Sequence, residues 1–179
     1  MKTPAGIVEI FLKPGEYYFG DSDTRIRTLL GSCVAITLWH PERRIGGMCH
    51  YMLPGRPRDA KLPFDGKYAD EALQLLIAEI IRAGTELQEY EVKMFGGGNM
   101  FPNPERCRND HVGRKNAQAG RRLMAQHGIS SKGGDLEGTG HRNIVFDMWS
   151  GEVWVKRVSL GDEPEQCIKC AIGKTCYGR

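Results

Sequence analysis

The feature that most constrains the fold is a pair of apolar segments separated by a short polar turn. Residues 34–39 (Val-Ala-Ile-Thr-Leu-Trp) show the period-two alternation of a β-strand. The sequence His-Pro-Glu-Arg-Arg at 40–44 is typical of a turn, and an apolar segment returns over 45–53 before Pro54 ends it. The two segments predict an antiparallel hairpin, in which the register decides which side chains share a face.

Matching the apolar faces of the two strands predicts that register. If Leu38 lies opposite Ile45, paired residue numbers sum to 83, and Cys33 lies opposite His50. Directly opposed side chains have Cβ atoms about 4.5–5.5 Å apart, close enough for a thiol and an imidazole to interact. A one-residue slip would place His50 on the other face, so the pairing sum must be odd. The residues expected on the opposite, buried face are Val34, Ile36, Leu38, Ile45 and Cys49.

The rest of the chain predicts strands gathered around two helices. We expect strands over 7–11, 25–28 and 92–95, and a hairpin from 144 to 155 around the Ser150-Gly151 turn. Apolar residues at helical spacing predict a helix over 68–83, stopped by Gly84, and a second helix over 109–127. These elements predict a single-domain α+β sandwich with mainly antiparallel strands and two main helices. The domain is expected to cover 1–160, followed by a cysteine-containing tail at 161–179.

Composition excludes several classes of function. The formal net charge of +3 is too small for a surface that follows nucleic-acid phosphates. The longest charge-free apolar run, 28–39, has 12 residues, whereas a membrane span needs about 20. The N-terminus lacks the apolar stretch of a secretory signal. We therefore expect a cytoplasmic protein that neither binds nucleic acid nor inserts into a membrane.

The six cysteines predict different roles for different positions. Cys49 lies in an apolar run and is expected in the core. The tail holds three thiols within ten residues, a spacing that suits metal or disulfide chemistry, although that chemistry is the less favoured alternative. Cys107 and His111 have the i, i+4 spacing of two ligands on one helix face, but a structural zinc needs four ligands, so a packed cysteine and a solvated histidine are favoured. No firm metal site and no cofactor are predicted; the tail thiols are Cys167, Cys170 and Cys176.

The Cys33–His50 pair suits nucleophilic catalysis. A free thiol has a pKa of about 8.5, and an adjacent imidazole is expected to lower it and to deliver a proton to a leaving amine. Gly31 and Ser32 precede the cysteine, so an unusual glycine φ and nearby N–H groups are expected to form an oxyanion pocket. The alternative, a core thiol beside a satisfied imidazole, has equal weight from the residues alone.

Several ordered motifs over residues 5–158 resemble the CheD family of chemoreceptor glutamine deamidases. They are Leu-Gly-Ser-Cys-Val (30–34), Met-Cys-His-Tyr-Met-Leu-Pro (48–54), Lys-Met-Phe-Gly-Gly (93–97), Gly-Arg-Lys-Asn (113–116), the glycine-rich 138–142 and Val-Phe-Asp (145–147). The resemblance implies hydrolysis of glutamine side-chain amides on the helical cytoplasmic part of bacterial chemoreceptors. It also implies a sandwich fold like that of the Cys–His toxin deamidases, and a CheC-type phosphatase as a second partner.

The resemblance implies a role for each site residue. Cys33 is the nucleophile, His50 the base and Thr28 the third member of the site. The interval from Thr28 to Cys33 is one residue shorter than is common in the family. Backbone groups of Gly31 and Ser32 would hold the oxyanion.

Other motifs leave alternatives open. Residues 96–98 (Gly-Gly-Gly) favour a tight turn over a binding role, and Phe95 beside them could belong to a receptor-facing surface. Asn116 either orients backbone near the site or is a plain helix-face amide. The competing functions are a thiol-rich zinc or redox binding module, with Cys33 incidental, and a noncatalytic chemotaxis adaptor.

Overall fold

The computed structural model describes residues 3–100 and 111–158, and the backbone of 166–170. Within these residues the chain forms ten strands and two α-helices. In chain order they are β1 (Val8–Leu12), β2 (Tyr17–Gly20), β3 (Thr24–Leu30), β4 (Val34–His40), β5 (Ile45–Tyr51), α1 (Ala69–Arg82), β6 (Glu91–Gly96), α2 (Val112–Gln126), β7 (Gly134–Leu136), β8 (His141–Asp147), β9 (Glu152–Val158) and β10 (Gln166–Cys170).

The strands form two five-stranded sheets. The first has the order β1-β3-β8-β9-β10 and the second the order β2-β5-β4-β6-β7. Only the β1–β3 and β6–β7 pairs are parallel among the described strands, and the other pairs are antiparallel. The predicted α+β sandwich with mainly antiparallel strands is therefore confirmed.

The elements form three layers: the two helices, the second sheet and the first sheet. Strand β4 lies in the middle layer, so both of its faces are covered and every residue but Trp39 is buried. Its even-numbered apolar residues pack with α1 and α2 on one face of the second sheet. Ala35, on the opposite face, packs against the first sheet with Ile26, Ile144 and Phe146. The predicted grouping of Val34, Ile36, Leu38, Ile45 and Cys49 on one face is confirmed.

The helices follow the predicted spacing, with one change at the second. Helix α1 ends at Arg82, and Gly84 follows with a φ of 68°. Helix α2 begins at Val112 rather than 109, because His111 caps it: its Nδ1 accepts the Arg114 N–H at 3.2 Å. His111 thus precedes the helix, and Cys107 lies outside the described residues. Neither described helix is long and apolar enough to cross a bilayer.

Three strands of the structure are not predicted from the sequence. Strands β2 and β7 have four and three residues, too few to show a period. Strand β10 lies in the tail and pairs with β9, with Cys167 opposite Lys156 and Cys170 opposite Val153. Cys176 lies outside the described residues, so the tail thiols and the boundary at 160 stay predictions.

Candidate active site

The hairpin register has the predicted parity but a different sum. Ala35 lies opposite His50 and Leu38 opposite Gly47, so paired numbers sum to 85, and the predicted sum of 83 is wrong. One strand is shifted by two residues relative to the prediction, so that Ile45 lies opposite His40 rather than Leu38. The turn closes there because Arg44 adopts a φ of 52° and its N–H donates to the His40 carbonyl at 2.8 Å. The odd sum is confirmed.

This register makes Cys33 a diagonal neighbour of His50 rather than its direct partner. Cys33 lies two residues before Ala35, the residue opposite His50, and it packs against the cluster between the sheets. Diagonal neighbours on regular strands lie about 7–8 Å apart at Cα, within reach of longer side chains. The nucleophile and base candidates therefore share the face that points toward the first sheet.

Thr28, on the first sheet, contacts the imidazole of His50. Its Oγ1 lies 2.7 Å from His50 Nδ1 and donates to the Leu12 carbonyl at 2.8 Å. A hydroxyl has one hydrogen, so Oγ1 accepts the Nδ1–H of His50, which assigns the tautomer from the hydrogen-bond network. His50 Nε2 then carries a lone pair, and it is buried without a hydrogen-bond partner among the described residues.

The structure thus brings Thr28 to His50 despite the short interval to Cys33. Along β3, buried and more exposed residues alternate, and Thr28 is on the buried side. Arg27, six residues before the cysteine, is exposed and pairs with Glu9 instead.

Burial sets the protonation of both reactive groups. Desolvation lowers the pKa of His50 to about 4, against smaller opposing effects of the Leu12 carbonyl and of Glu16. Desolvation also raises the pKa of the Cys33 thiol. The expected lowering of the thiol pKa is wrong, because a neutral imidazole offers no positive charge to a thiolate. The resting site holds a thiol and a neutral imidazole.

The triple-glycine turn fixes the backbone of the cysteine loop. Gly97 N–H donates to the Cys33 carbonyl at 2.7 Å, and Gly98 N–H donates to the Gly31 carbonyl at 2.9 Å. Gly96 has a φ of 107°, and a Cβ there would lie 2.2 Å from the Cys33 carbonyl oxygen. The predicted tight turn is confirmed, and its glycines allow two backbone segments to touch.

Two other expectations near this turn change. Gly31 has no left-handed φ, and a Cβ there would lie 2.9 Å from the sulfur of the flexible Met100 side chain. Phe95 is fully buried in the cluster between the sheets, so it does not belong to a receptor-facing surface. The oxyanion role of the backbone at Gly31 and Ser32 stays a prediction.

Sequence reasoning left the role of Asn116 open, and the structure places it beside the cysteine loop. Its Nδ2 donates to the Ser32 carbonyl at 3.0 Å. The Leu12 carbonyl, which fixes the Thr28 hydroxyl, was missed because no side chain signals it. No cluster of three metal-ligating side chains occurs in the part of the chain that was described. The site therefore offers a thiol, a neutral base and an orienting hydroxyl.

Comparisons with known proteins show the family of the chain. The family model described as CheD chemotactic sensory transduction matches residues 52–157. A protein of Pseudomonas savastanoi pv. phaseolicola, named probable chemoreceptor glutamine deamidase CheD, is 54% identical over 87% of this chain and 88% of its own length. A Pseudomonas fluorescens protein of the same name is 47% identical over 97% of this chain and all of its own. A Leptospira interrogans relative, named probable chemoreceptor glutamine deamidase CheD 1, is 38% identical over 86% of this chain and 95% of its own. The chain belongs to the CheD family.

Proposed function

We propose that the protein hydrolyses glutamine side-chain amides in the cytoplasmic helical region of chemoreceptors (methyl-accepting chemotaxis proteins), giving glutamate and ammonia. The observation that carries the proposal is the Thr28–His50 hydrogen bond, which leaves an unprotonated Nε2 on the face shared with Cys33. The names of the relatives describe the same reaction. Since that receptor region is cytoplasmic, the protein acts in the cytoplasm.

The first half-reaction is attack by sulfur on the amide. His50 Nε2 takes the thiol proton as Cys33 Sγ bonds to the glutamine Cδ, and the carbonyl π electrons move to oxygen. Backbone N–H groups around Ser32 and Cys33 hold this oxyanion. When the tetrahedral intermediate collapses, the C–N bond breaks and His50 returns the proton to the departing ammonia. A thioester between Cys33 and the substrate remains.

The second half-reaction releases the product. His50 takes a proton from water as the water oxygen attacks the thioester carbon. The C–S bond then breaks, His50 gives that proton to the departing Cys33 sulfur, and the new carboxylic acid ionises to glutamate. Thr28 does not touch the substrate: it holds the imidazole with Nδ1 protonated and accepts from that N–H while the ring is charged. The product carboxylate can then serve as a methyl-acceptor site.

A receptor mass assay tests the proposal. A purified receptor cytoplasmic fragment is incubated with wild type, Cys33→Ala or Cys49→Ala, and glutamine-to-glutamate conversion is read by peptide mass. Cys49 is fully buried on the helix-facing side, so Cys49→Ala is the matched control that keeps the reactive face. We expect wild type and Cys49→Ala to convert glutamine and Cys33→Ala to convert none. Conversion by Cys33→Ala would refute the nucleophile assignment.

A CheC-type phosphatase is the second partner that we propose, on the family resemblance. Its binding is measured with the two purified proteins by calorimetry, with and without receptor fragment. Formation of a complex supports the partner, and absence of any heat of binding at micromolar concentrations argues against it.

A further inference from the structure

One buried amide joins the loop of the nucleophile to the strand of the base. Asn116, on α2, is fully buried, and its Nδ2 donates to the Ser32 carbonyl at 3.0 Å and to the Met52 carbonyl at 2.9 Å. Ser32 immediately precedes Cys33, and Met52 follows His50 by two residues. The two N–H groups of one side chain therefore hold the two backbone segments together.

Two further contacts hold the helix that carries this amide, one with the end of β5 and one with the glycine turn. Tyr51 donates its hydroxyl hydrogen to the Asn116 carbonyl at 2.9 Å, which ties α2 to the end of β5. Gly113 lies so close to the glycine turn that a Cβ would be 2.5 Å from the carbonyl oxygens of both Gly97 and Gly98. The amide is thus held by a rigid support rather than by a mobile surface helix.

The chemistry of the contact requires a donor. Both partners of Nδ2 are carbonyl oxygens, while Asn116 Oδ1 is buried with no hydrogen-bond partner in the described part of the chain. An aspartate would present an oxygen to two oxygens, although its shape is nearly the same. The position therefore selects the amide for its two N–H groups, and a plain helix-face role does not explain it.

The register explains why such a contact matters. Cys33 lies before the first residue of β4 and is a diagonal neighbour of His50, so strand pairing does not fix the distance from Sγ to Nε2. We propose that Asn116 is a positioning residue of the deamidase reaction, whose amide sets that distance by holding Ser32 against Met52. The inference rests on the proposed function for its role in turnover, but the Cys33–His50 alignment is measurable without receptor.

Asn116→Asp and a matched control separate positioning from stability. The control is Met124→Ala, a buried change on the same helix whose side chain packs in the helix-facing core. On receptor fragment we expect Asn116→Asp to lower kcat about 10²-fold with KM within about twofold of wild type, since misplacement of a catalytic group by about 1 Å costs that much. Met124→Ala should keep kcat within about threefold, although it unfolds at lower urea. Equal loss of kcat in both variants would overturn the inference.

Alkylation of Cys33 by iodoacetamide, read by peptide mass at neutral pH, is the readout that needs no receptor. Because His50 Nε2 is the base that takes the thiol proton as Sγ attacks, His50→Ala should slow alkylation in the wild-type background. It should slow alkylation no further in Asn116→Asp, because the alignment is already lost. An additive effect of the two changes would contradict the inference. If wild type fails to deamidate receptor while this coupling is found, the proposed function fails and the alignment stands. If Asn116→Asp does not fold, Asn116→Ser, which keeps one hydroxyl donor, carries the same comparison.

Discussion

Acidification should destabilise this protein through His50, and a substitution at that residue should remove the effect. His50 is 1% exposed, and burial lowers the pKa of its imidazole from 6.5 to about 4. Below pH 6.5 the unfolded chain binds a proton at this position that the folded chain does not bind until about pH 4. Protons therefore favour the unfolded state in that window, and the free energy of unfolding falls as the pH falls.

The size of the effect follows from the pKa difference. A difference of about 2.5 pKa units at about 1.4 kcal/mol each gives a full loss of about 3 kcal/mol. About 2.5 kcal/mol of this is reached between pH 7.5 and pH 4.5, because half-titration of the folded state lies just below that range. This is a large part of the 5–15 kcal/mol that is typical of domains of this size.

Urea unfolding of wild type and His50→Gln at the two pH values measures this effect. Other groups titrate in both proteins, so the quantity of interest is the difference between their pH-dependent losses. Wild type should lose about 2.5 kcal/mol more than His50→Gln, which has no proton to bind at this position. Equal losses in the two proteins would show that His50 titrates alike in both states and would refute the neutral, desolvated imidazole.

Three further outcomes follow from the site and the core. The value of kcat/KM on receptor fragment should vary less than about twofold between about pH 6 and pH 8 and should fall only near pH 4–5. The reason is that the His50 imidazole is neutral at every pH above its lowered pKa. A fall of kcat/KM with its midpoint near pH 6.5 would contradict this. Thr28→Val keeps the side-chain volume but removes the acceptor of Nδ1–H, so kcat should fall about 10-fold to 100-fold with KM little changed; a wild-type kcat would show that the contact does not orient His50. Arg142→Met removes a fully buried guanidinium that pairs with Asp135, so urea unfolding should show a loss of about 2–4 kcal/mol. Arg27→Met, at an exposed pair with Glu9, is the matched control and should cost less than about 1 kcal/mol; similar losses would contradict the difference in burial.

The sequence predicts the faces of the hairpin but not its register. Alternation of apolar side chains decides which residues share a face, so the odd pairing sum and the buried group around Ile36 and Cys49 follow from the chain alone. The two-residue shift depends on the left-handed conformation of Arg44, which no residue type in the turn demands. The type of each side chain decides which face of the strand it occupies, whereas the residue at which the turn closes depends on backbone angles.

The candidate site divides in the same way. Cys33 and His50 can be found from residue type and parity, but Thr28 reaches His50 from the other sheet, and no local pattern reveals a contact between sheets. The direction of the thiol pKa shift was predicted wrongly because burial depends on every layer around the sulfur. The sequence left two roles open for Asn116, because its two acceptors come from distant loops that no local pattern connects to the helix.

The position of Thr28 on β3 has a consequence for partly synthesised or truncated chains. All three proposed site residues occur before β5 ends at Tyr51, yet β3 is joined to its sheet on one side by β8, which begins at His141. A chain of which only the first hundred residues have been synthesised therefore contains the nucleophile, the base and the hydroxyl, but it lacks β8, the strand that pairs with the strand of Thr28. We therefore expect a fragment that ends before β8 to lack activity, although it contains all three proposed site residues.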